Sequence, residues 1–267
     1  MKPLAKDWAR IVPRLKRARI PLFLDFDGTL APIVANPERA QMPRDVRRIL
    51  QGLVRLPSLR VAVVSGRSLS DVETRIGIRG IAYAGNHGLE LEGPGFRHCL
   101  PIPEAYADML ERLRPTLQIL AASYPGAEVE DKGLSLSLHY RRVASGNTAR
   151  LKHAFRLVLS EFQANPFIVL RSGKKVLEIR PSIPWGKGEA IRWLLERWDG
   201  AWREGSRLPI YIGDDKTDED AFKVMREQGL AVRVGRSRSS AAEYYLNRTT
   251  DVWKFLGRLL KLKSGPP

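Results

Sequence analysis

Apolar residues along the chain come in short runs that end abruptly in polar clusters. PLFLDFD (21–27) and RVAVVSGR (60–67) are followed by GIAYAGNHG (80–88), LPIYIGDD (208–215) and LAVRVG (230–235). Such runs, bounded by Gly, Asp or Asn, predict buried strands. Between them the period becomes helical. PRDVRRILQGLV (43–54), SLSDVETRIG (68–77), GKGEAIRWLLERW (186–198) and TDEDAFKVMREQG (217–229) carry apolar residues at helical spacing, and Gly229 stops the last. Strands alternating with helices predict a parallel sheet covered on both faces. Ligands of such sheets sit beyond the carboxyl ends of the strands. The polar clusters DFDGT, SGR, NHG and GDDKTDED all fall there.

The middle of the chain has another rhythm. PEAYADMLERLRPTLQILAASYPG (103–126) reads as a helix that Pro115 should kink or break. LSLSLHYRR (134–142) alternates as a strand with one wet face would. NTARLKHAFRLVLSEFQANP (147–166) is helical, with Asn147 or Thr148 as its N-cap. FIVLRSGKKVLEIRP (167–181) predicts a hairpin turning at Ser172-Gly173-Lys174. This helix–strand–helix–hairpin unit interrupts the βα series. The expected organisation is a discontinuous core, 1–94 and 183–267, with an inserted α+β cap at 95–182. The final KLKSGPP is expected to fray.

Composition narrows the class. The 267 residues suffice for a sizeable core, and 43% are hydrophobic without any run long enough to cross a membrane. The N-terminal MKPLAKDWARIVPRLKRARI lacks a secretory apolar region and reads as a basic amphipathic helix. A single cysteine, Cys99, makes neither an intrachain disulfide nor a zinc finger. A cytoplasmic protein is expected. The formal net charge is +16, but Lys and Arg are spread along the chain without a basic block, an RNA-binding aromatic signature or a zinc module. A nucleic-acid partner is therefore not expected. Part of the charge could attract an anionic substrate.

Asp25 and Asp27 are two residues apart, so in extended backbone their side chains project to the same side. Gly28 then permits a sharp turn. Two carboxylates forced together need a cation or a shared proton, whereas a solvated turn needs neither. YIGDDKTDED brings a second strand to a cluster of acids. Some of these could cap the following helix, but Asp214 would lie beside the first pair if the strands were neighbours. Converging carboxylates without a His or Cys ligand set suit magnesium better than zinc.

DFDGT with Leu30, SGR at 65–67, Lys187 and GDDKTDED resemble the four motifs of the haloacid dehalogenase superfamily of phosphatases. DFDGTLAPI, AGNHGLE, VEDKGLSLSLHYR, KKVLEIRP, WGKG and GDDKTDEDAF resemble one branch more closely, the trehalose-6-phosphate phosphatases, over roughly residues 20 to 235. The resemblance implies a Rossmann-like core with a parallel sheet, an α+β cap, and hydrolysis of trehalose 6-phosphate. Sucrose 6-phosphate or mannosyl-3-phosphoglycerate would be alternative substrates of the same core. A non-catalytic phosphate-binding protein is a further alternative.

Roles follow from that resemblance. Asp25 would be the nucleophile that becomes an aspartyl-phosphate, and Asp27 the general acid and then base. Magnesium would be held by Asp25, the Asp27 backbone carbonyl, Asp214 and Asp218, the last directly or through water. Ser65, Gly66, Arg67, Thr29 and Lys187 would surround the phosphate. Ser65 could equally cap a helix, and Thr29 could merely shape a turn. Asn86 and His87 could touch sugar hydroxyls or simply form a tight turn. Glu130, Lys132, Arg141 and Arg180 of the cap are candidate disaccharide contacts, against solvated charges on an exposed strand. His139 reads as a packing residue. The cap is expected to close over its substrate about hinges near 92–95 and 181–184.

Overall fold

The computed structural model describes all residues except 35, 161, 163–165, 201–205 and 266–267. The chain forms two compact units, Met1–Cys99 with Trp185–Pro267, and Leu100–Pro184. The expected first boundary at 94/95 falls inside a hairpin. The strand Phe96–Cys99 pairs with Glu90–Gly93 and so belongs to the first unit.

In chain order the first unit begins with β1 (Lys2–Pro3), α1 (Trp8–Arg17), β2 (Ile20–Leu24), α2 (Arg44–Val54) and β3 (Leu59–Val64). It continues with α3 (Leu69–Ile76), β4 (Ala82–Gly85), β5 (Glu90–Gly93) and β6 (Phe96–Cys99). The second unit holds α4 (Glu104–Ala122), β7 (Glu128–Asp131), β8 (Leu136–His139), α5 (Ser145–Ser160), β9 (Ile168–Gly173) and β10 (Val176–Pro181). The chain returns to the first unit with α6 (Lys187–Asp199), β11 (Ile210–Gly213), α7 (Glu219–Gln228), β12 (Leu230–Val234), β13 (Tyr244–Leu246) and α8 (Thr249–Ser264).

The first unit's sheet runs β1-β13-β12-β11-β2-β3-β4-β5-β6 among the described residues. Pairing is parallel from β1 to β4, while β5 and β6 are added antiparallel. The central β2 is buried throughout, which is why its sequence is apolar at every position rather than alternating. Leu22, Phe23 and Leu24 are each fully buried, worth roughly 1.5–3 kcal/mol apiece against exposure. From β2 the chain moves outward through β3 and β4. It then returns to the other side of β2 as β11 and continues to β12 and β13. The strand order therefore reverses between β2 and β11, the crevice where open α/β sheets bind ligands.

In the second unit α4 and α5 pack on one face of the antiparallel sheet β7-β8-β10-β9. Leu136, Leu138 and Ile179 point into that core with Leu113, Leu117 and Phe155. β7, β1, β5, β6, β13 and α8 were not foreseen. Pro115 does not interrupt α4. It lies on the exposed side of the helix, where the carbonyl it leaves unbonded can face water. The hairpin turns at Lys174–Lys175 rather than Ser172-Gly173-Lys174. Gly173 pairs with Val176, and Lys175 takes a left-handed φ of 67°. α5 begins at Ser145, ahead of the expected caps Asn147 and Thr148. Lys261–Ser264 do not fray. They are the last turn of α8, where Lys263 Nζ donates to the carbonyls of Lys16 and Ala18.

Candidate active site

Four adjacent parallel strands deliver the polar clusters to one edge. Asp25 follows the last residue of β2, Ser65 that of β3, Asn86 that of β4 and Asp214 that of β11. β11 and β2 are neighbours, and the Asp25 N–H donates to the Ile212 carbonyl at 2.9 Å. Lys187 enters this edge as the first residue of α6.

Asp25, Asp214 and Asp218 each offer a carboxylate oxygen, all within 4.8 Å of one another. Lys187 Nζ donates to Asp25 Oδ1 and to Asp218 Oδ1, both at 2.6 Å, and Lys187 is 2% exposed. Tyr211 Oη donates to the same Asp218 oxygen at 2.6 Å, and the Asp215 N–H to Asp218 Oδ2 at 2.8 Å. Burial pushes Asp25 well above the usual carboxylate range. Lys187 opposes that shift, while Asp218 and Asp214 reinforce it. Burial acts upward on Asp218 as well, but Lys187, Tyr211 and the Asp215 amide outweigh it and hold that group low. Lys187 thus bridges Asp25 and Asp218. Burial would lower Lys187, yet the two acids raise it far above its ordinary value.

Three carboxylates gather here, and Lys187 is the ammonium bonded to two of them. The cluster supplies only oxygen donors. Both properties fit a hard divalent cation. Gly28, at φ +81°, is required here, because a Cβ would overlap the Asp214 carboxylate.

Asp27 faces another partner. Arg67 donates from Nε and Nη2 to its two carboxylate oxygens at 2.7 and 2.8 Å. The same guanidinium reaches Asp71 Oδ2 and the Pro37 carbonyl, both at 2.8 Å. Burial would lower Arg67, but the hydrogen bonds and charge of Asp27, followed by those of Asp71, raise it beyond its ordinary value.

Ser65 is 1% exposed, and its Oγ accepts from the Arg67 N–H at 3.2 Å. The helix-capping role expected as its alternative belongs to Ser68, which accepts from the Asp71 N–H. Asn86 and His87 both adopt positive φ, 49° and 59°, an unusual backbone for side-chain-bearing residues. Their N–H groups donate to the carbonyls of Arg67 and Ser65 at 2.7 and 2.8 Å, which binds the β4 loop to the β3 loop. Gly66 permits the approach, since a Cβ there would overlap the His87 ring. Asn86 Nδ2 donates to Glu90 at 2.6 Å. Thr29 is fully buried.

In the second unit Glu130, Ser137 and Glu178 lie in one row across β7, β8 and β10. Lys132 Nζ donates to Glu178 Oε1 at 2.9 Å, and Ser137 Oγ to the same atom at 3.3 Å. Arg180 Nε donates to Glu178 Oε2 at 2.5 Å. His139 is not a packing residue. Its Nε2 pairs with Glu130 Oε2 at 2.7 Å. Glu130, Lys132 and Arg180 therefore share a polar sheet face around a buried carboxylate. Arg141 is exposed at the hairpin end, donating to the Lys174 carbonyl at 3.1 Å. Tyr211, Asp71 and Glu178 were not anticipated. Alternation would have placed Glu178 and Arg180 on the same strand face. Nothing in YIGDD signals that its tyrosine reaches Asp218.

The strand order, the buried aspartate after β2 and the Lys187-bridged acids define a haloacid-dehalogenase-type α/β core with an inserted α+β unit. The trehalose-phosphatase family model matches residues 23–250. A rice relative named "Probable trehalose-phosphate phosphatase 4" is 38% identical over 260 residues, 95% of this chain and 69% of that protein. "Trehalose-phosphate phosphatase B" of Arabidopsis thaliana is 37% identical over 265 residues, again 95% and 69%. The C-terminal domain of a C. albicans trehalose-6-phosphate phosphatase superposes with a TM-score of 0.80 at 25% identity, covering 94% of this chain and 97% of that one. The chain belongs to the trehalose-phosphatase family.

Proposed function

We propose that the protein hydrolyses trehalose 6-phosphate to trehalose and inorganic phosphate, as a magnesium-dependent enzyme working through an aspartyl-phosphate. The observation that carries this reading is Asp25, buried at the end of β2 against Lys187 with Asp214 and Asp218 around it.

An Asp25 carboxylate oxygen attacks phosphorus, and the bond from phosphorus to the sugar oxygen breaks. Asp27 gives its proton to the departing oxygen. A water then attacks the phosphoryl group, Asp27 takes its proton, and Asp25 is regenerated. Lys187 balances charge on Asp25 and the phosphate, and Arg67 fixes the direction of the Asp27 carboxylate. Ser65, Gly66 and Thr29 offer donors to phosphate oxygens. Magnesium held by Asp25, Asp214, Asp218 and the Asp27 carbonyl would neutralise phosphate charge. Asn86, His87, Glu130, Lys132, Arg141 and Arg180 are assigned to the disaccharide, with Glu178 added for its buried carboxylate among Lys132, Ser137 and Arg180. Lys132 and Arg180, fixed by that carboxylate, are oriented donors of the kind a sugar hydroxyl needs.

The test is phosphate release from trehalose 6-phosphate with and without magnesium, beside glucose 6-phosphate, sucrose 6-phosphate and mannosyl-3-phosphoglycerate. Magnesium-dependent release confined to trehalose 6-phosphate is expected. Release from another ester instead would discard the sugar assignment. No release from any, with magnesium present and the protein folded, would discard the enzyme.

A further inference from the structure

Two side chains of α8 reach the loop that carries the nucleophile, and the reaction above gives neither a task. Thr249 Oγ1 donates to the Gly28 carbonyl at 2.8 Å, and Trp253 Nε1 donates to the Leu30 carbonyl at 3.1 Å. They are four residues apart on one helix, so both project from the same face, one turn apart. Both are half-buried.

The loop's own hydrogen bonds give it a shape. Gly28 N–H donates to the Ala31 carbonyl at 2.7 Å, and the Leu30 and Ala31 N–H groups both donate to the Phe26 carbonyl at 2.9 Å. Those bonds close the loop on itself, and α8 ties two of its carbonyls to the body of the unit.

The direction of the first tie has a chemical consequence. The Gly28–Thr29 peptide is planar and trans, so its C=O and N–H point opposite ways. Holding the Gly28 carbonyl toward α8 turns the Thr29 N–H away from α8. That N–H donates to the Phe26 carbonyl at 3.4 Å, the longest of the three bonds from Thr29, Leu30 and Ala31 to that oxygen. Rotation of the peptide is also limited on its other side, where the Gly28 Cα lies against the Asp214 carboxylate.

We propose that Thr249, supported by Trp253, is a positioning residue that aims the Thr29 N–H at a phosphate oxygen of the substrate. The proposal rests on the phosphatase reading of the site, and the experiment separates the two. Wild type, Thr249→Val, Thr249→Ser and Trp253→Phe are assayed on trehalose 6-phosphate and on p-nitrophenyl phosphate, which lacks the sugar. Inhibition by orthovanadate, a mimic of the transferring phosphoryl group, is measured beside them. Loss of one aimed donor costs about 10²–10³ in kcat when the donor is deleted, and a displaced one costs less. Thr249→Val is therefore expected to lower kcat on both esters by about 10–100-fold and to weaken vanadate inhibition by a similar factor. KM for trehalose 6-phosphate should stay within about threefold, since the donor acts mainly on the transition state. Thr249→Ser, which keeps the hydroxyl, restores kcat. A purely structural bond would lower thermal stability and leave kcat and vanadate inhibition of the folded enzyme unchanged. That result, or failure of Thr249→Ser to restore turnover, overturns the proposal. If Thr249→Val does not fold, Trp253→Phe decides: a several-fold loss of kcat on both esters supports the clamp, and an unchanged kcat overturns it. A wild type active on p-nitrophenyl phosphate alone removes the sugar assignment, and a loss of kcat in Thr249→Val on that ester then supports the clamp while an unchanged kcat overturns it. A wild type inert on both esters overturns the reading of the site and the clamp with it.

Discussion

Replacing Lys187 by methionine removes the cation that bridges Asp25 and Asp218 while keeping most of the side chain's length. Its ammonium is 2.6 Å from both Asp25 Oδ1 and Asp218 Oδ1, and all three groups are buried. At an effective dielectric of about 20, a unit pair at that separation attracts by roughly 6 kcal/mol. Dehydration of the ammonium and the acids offsets most of this. What remains after one partner is deleted is the cost of an uncompensated buried charge, about 3–5 kcal/mol. Asp218 carries that cost, because Lys187 is the largest influence holding it ionised against burial. At about 2–4 °C per kcal/mol for a protein approaching this size, the thermal midpoint should fall by roughly 6–20 °C. The assay is urea unfolding followed by tryptophan fluorescence, with phosphate release measured at a temperature where the variant is folded. Turnover should drop by about 10²–10³-fold. The double variant Lys187→Met/Asp218→Asn should regain much of the lost stability, since the stranded charge has gone, but none of the turnover. A stability loss below about 1 kcal/mol, or strictly additive single changes, would refute the reasoning and mean that water, not Lys187, compensates the acids.

Glu178→Gln weakens the anchor of Lys132 and Arg180, so KM for trehalose 6-phosphate should rise at least ~10-fold while turnover of p-nitrophenyl phosphate is unchanged; equal losses on both esters would contradict the sugar assignment. Chelator dialysis should abolish turnover and added magnesium should restore it, whereas full activity after chelation would remove the metal from the mechanism. Burial would raise Asp71, but its hydrogen bonds from Arg75 and Arg67 outweigh that and place its folded pKa below the unfolded 3.8. Its contribution to stability is fully present above 3.8 and is lost as pH falls through the folded value. Asp71→Asn should therefore unfold at lower urea than wild type at pH 7, with the gap narrowing below the unfolded pKa; a constant gap would show that the pairing is not what the substitution removes.

Strands and helices of the βα series were legible because each carries its own signal. β2 is apolar at every position, α3 has its Ser68 cap, and Gly77 closes it in a left-handed conformation. The adjacency of β2 and β11, on which the meeting of Asp25 and Asp214 depends, is a property of topology. It was legible only as a condition, because no local residue reveals which strands pair. Elements whose stability comes from neighbours were not legible. β5 and β6 are short strands whose buried side chains are few, and their place is set by antiparallel pairing onto β4. β13 has a buried run of three residues, too short to read as a period. Pro115 misled because a proline penalty was assigned without knowing that its face of α4 meets solvent. Glu178 was passed over because a glutamate within VLEIRP reads as solvated until β8 and β10 are known to pair.

The two aspartates at the end of β2 show how far spacing can carry an argument and where it stops. In continuous strand they would project together and repel. β2 ends at Leu24, so neither residue lies in the extended segment that this expectation assumed. Asp25 turns into the interior beside Lys187, with Asp214 and Asp218 close by. Asp27, with a side chain 42% exposed, is taken by the Arg67 fork. The two carboxylates are thereby divided between two cations, one from α6 and one from the β3 loop. This division would let neighbouring residues of identical chemistry take the different tasks proposed for them. A nucleophile gains from burial, where little water competes for it, and from an ammonium that balances the incoming phosphate. A proton carrier needs contact with solvent and a fixed direction; the guanidinium supplies the direction, but it must release one of the two oxygens it holds before that oxygen can carry a proton. Exchanging Arg67 for lysine keeps the charge and loses the fork. It should therefore damage the proton transfer proposed for Asp27 far more than it damages phosphate binding, seen as a fall in kcat with inhibition by orthovanadate unchanged.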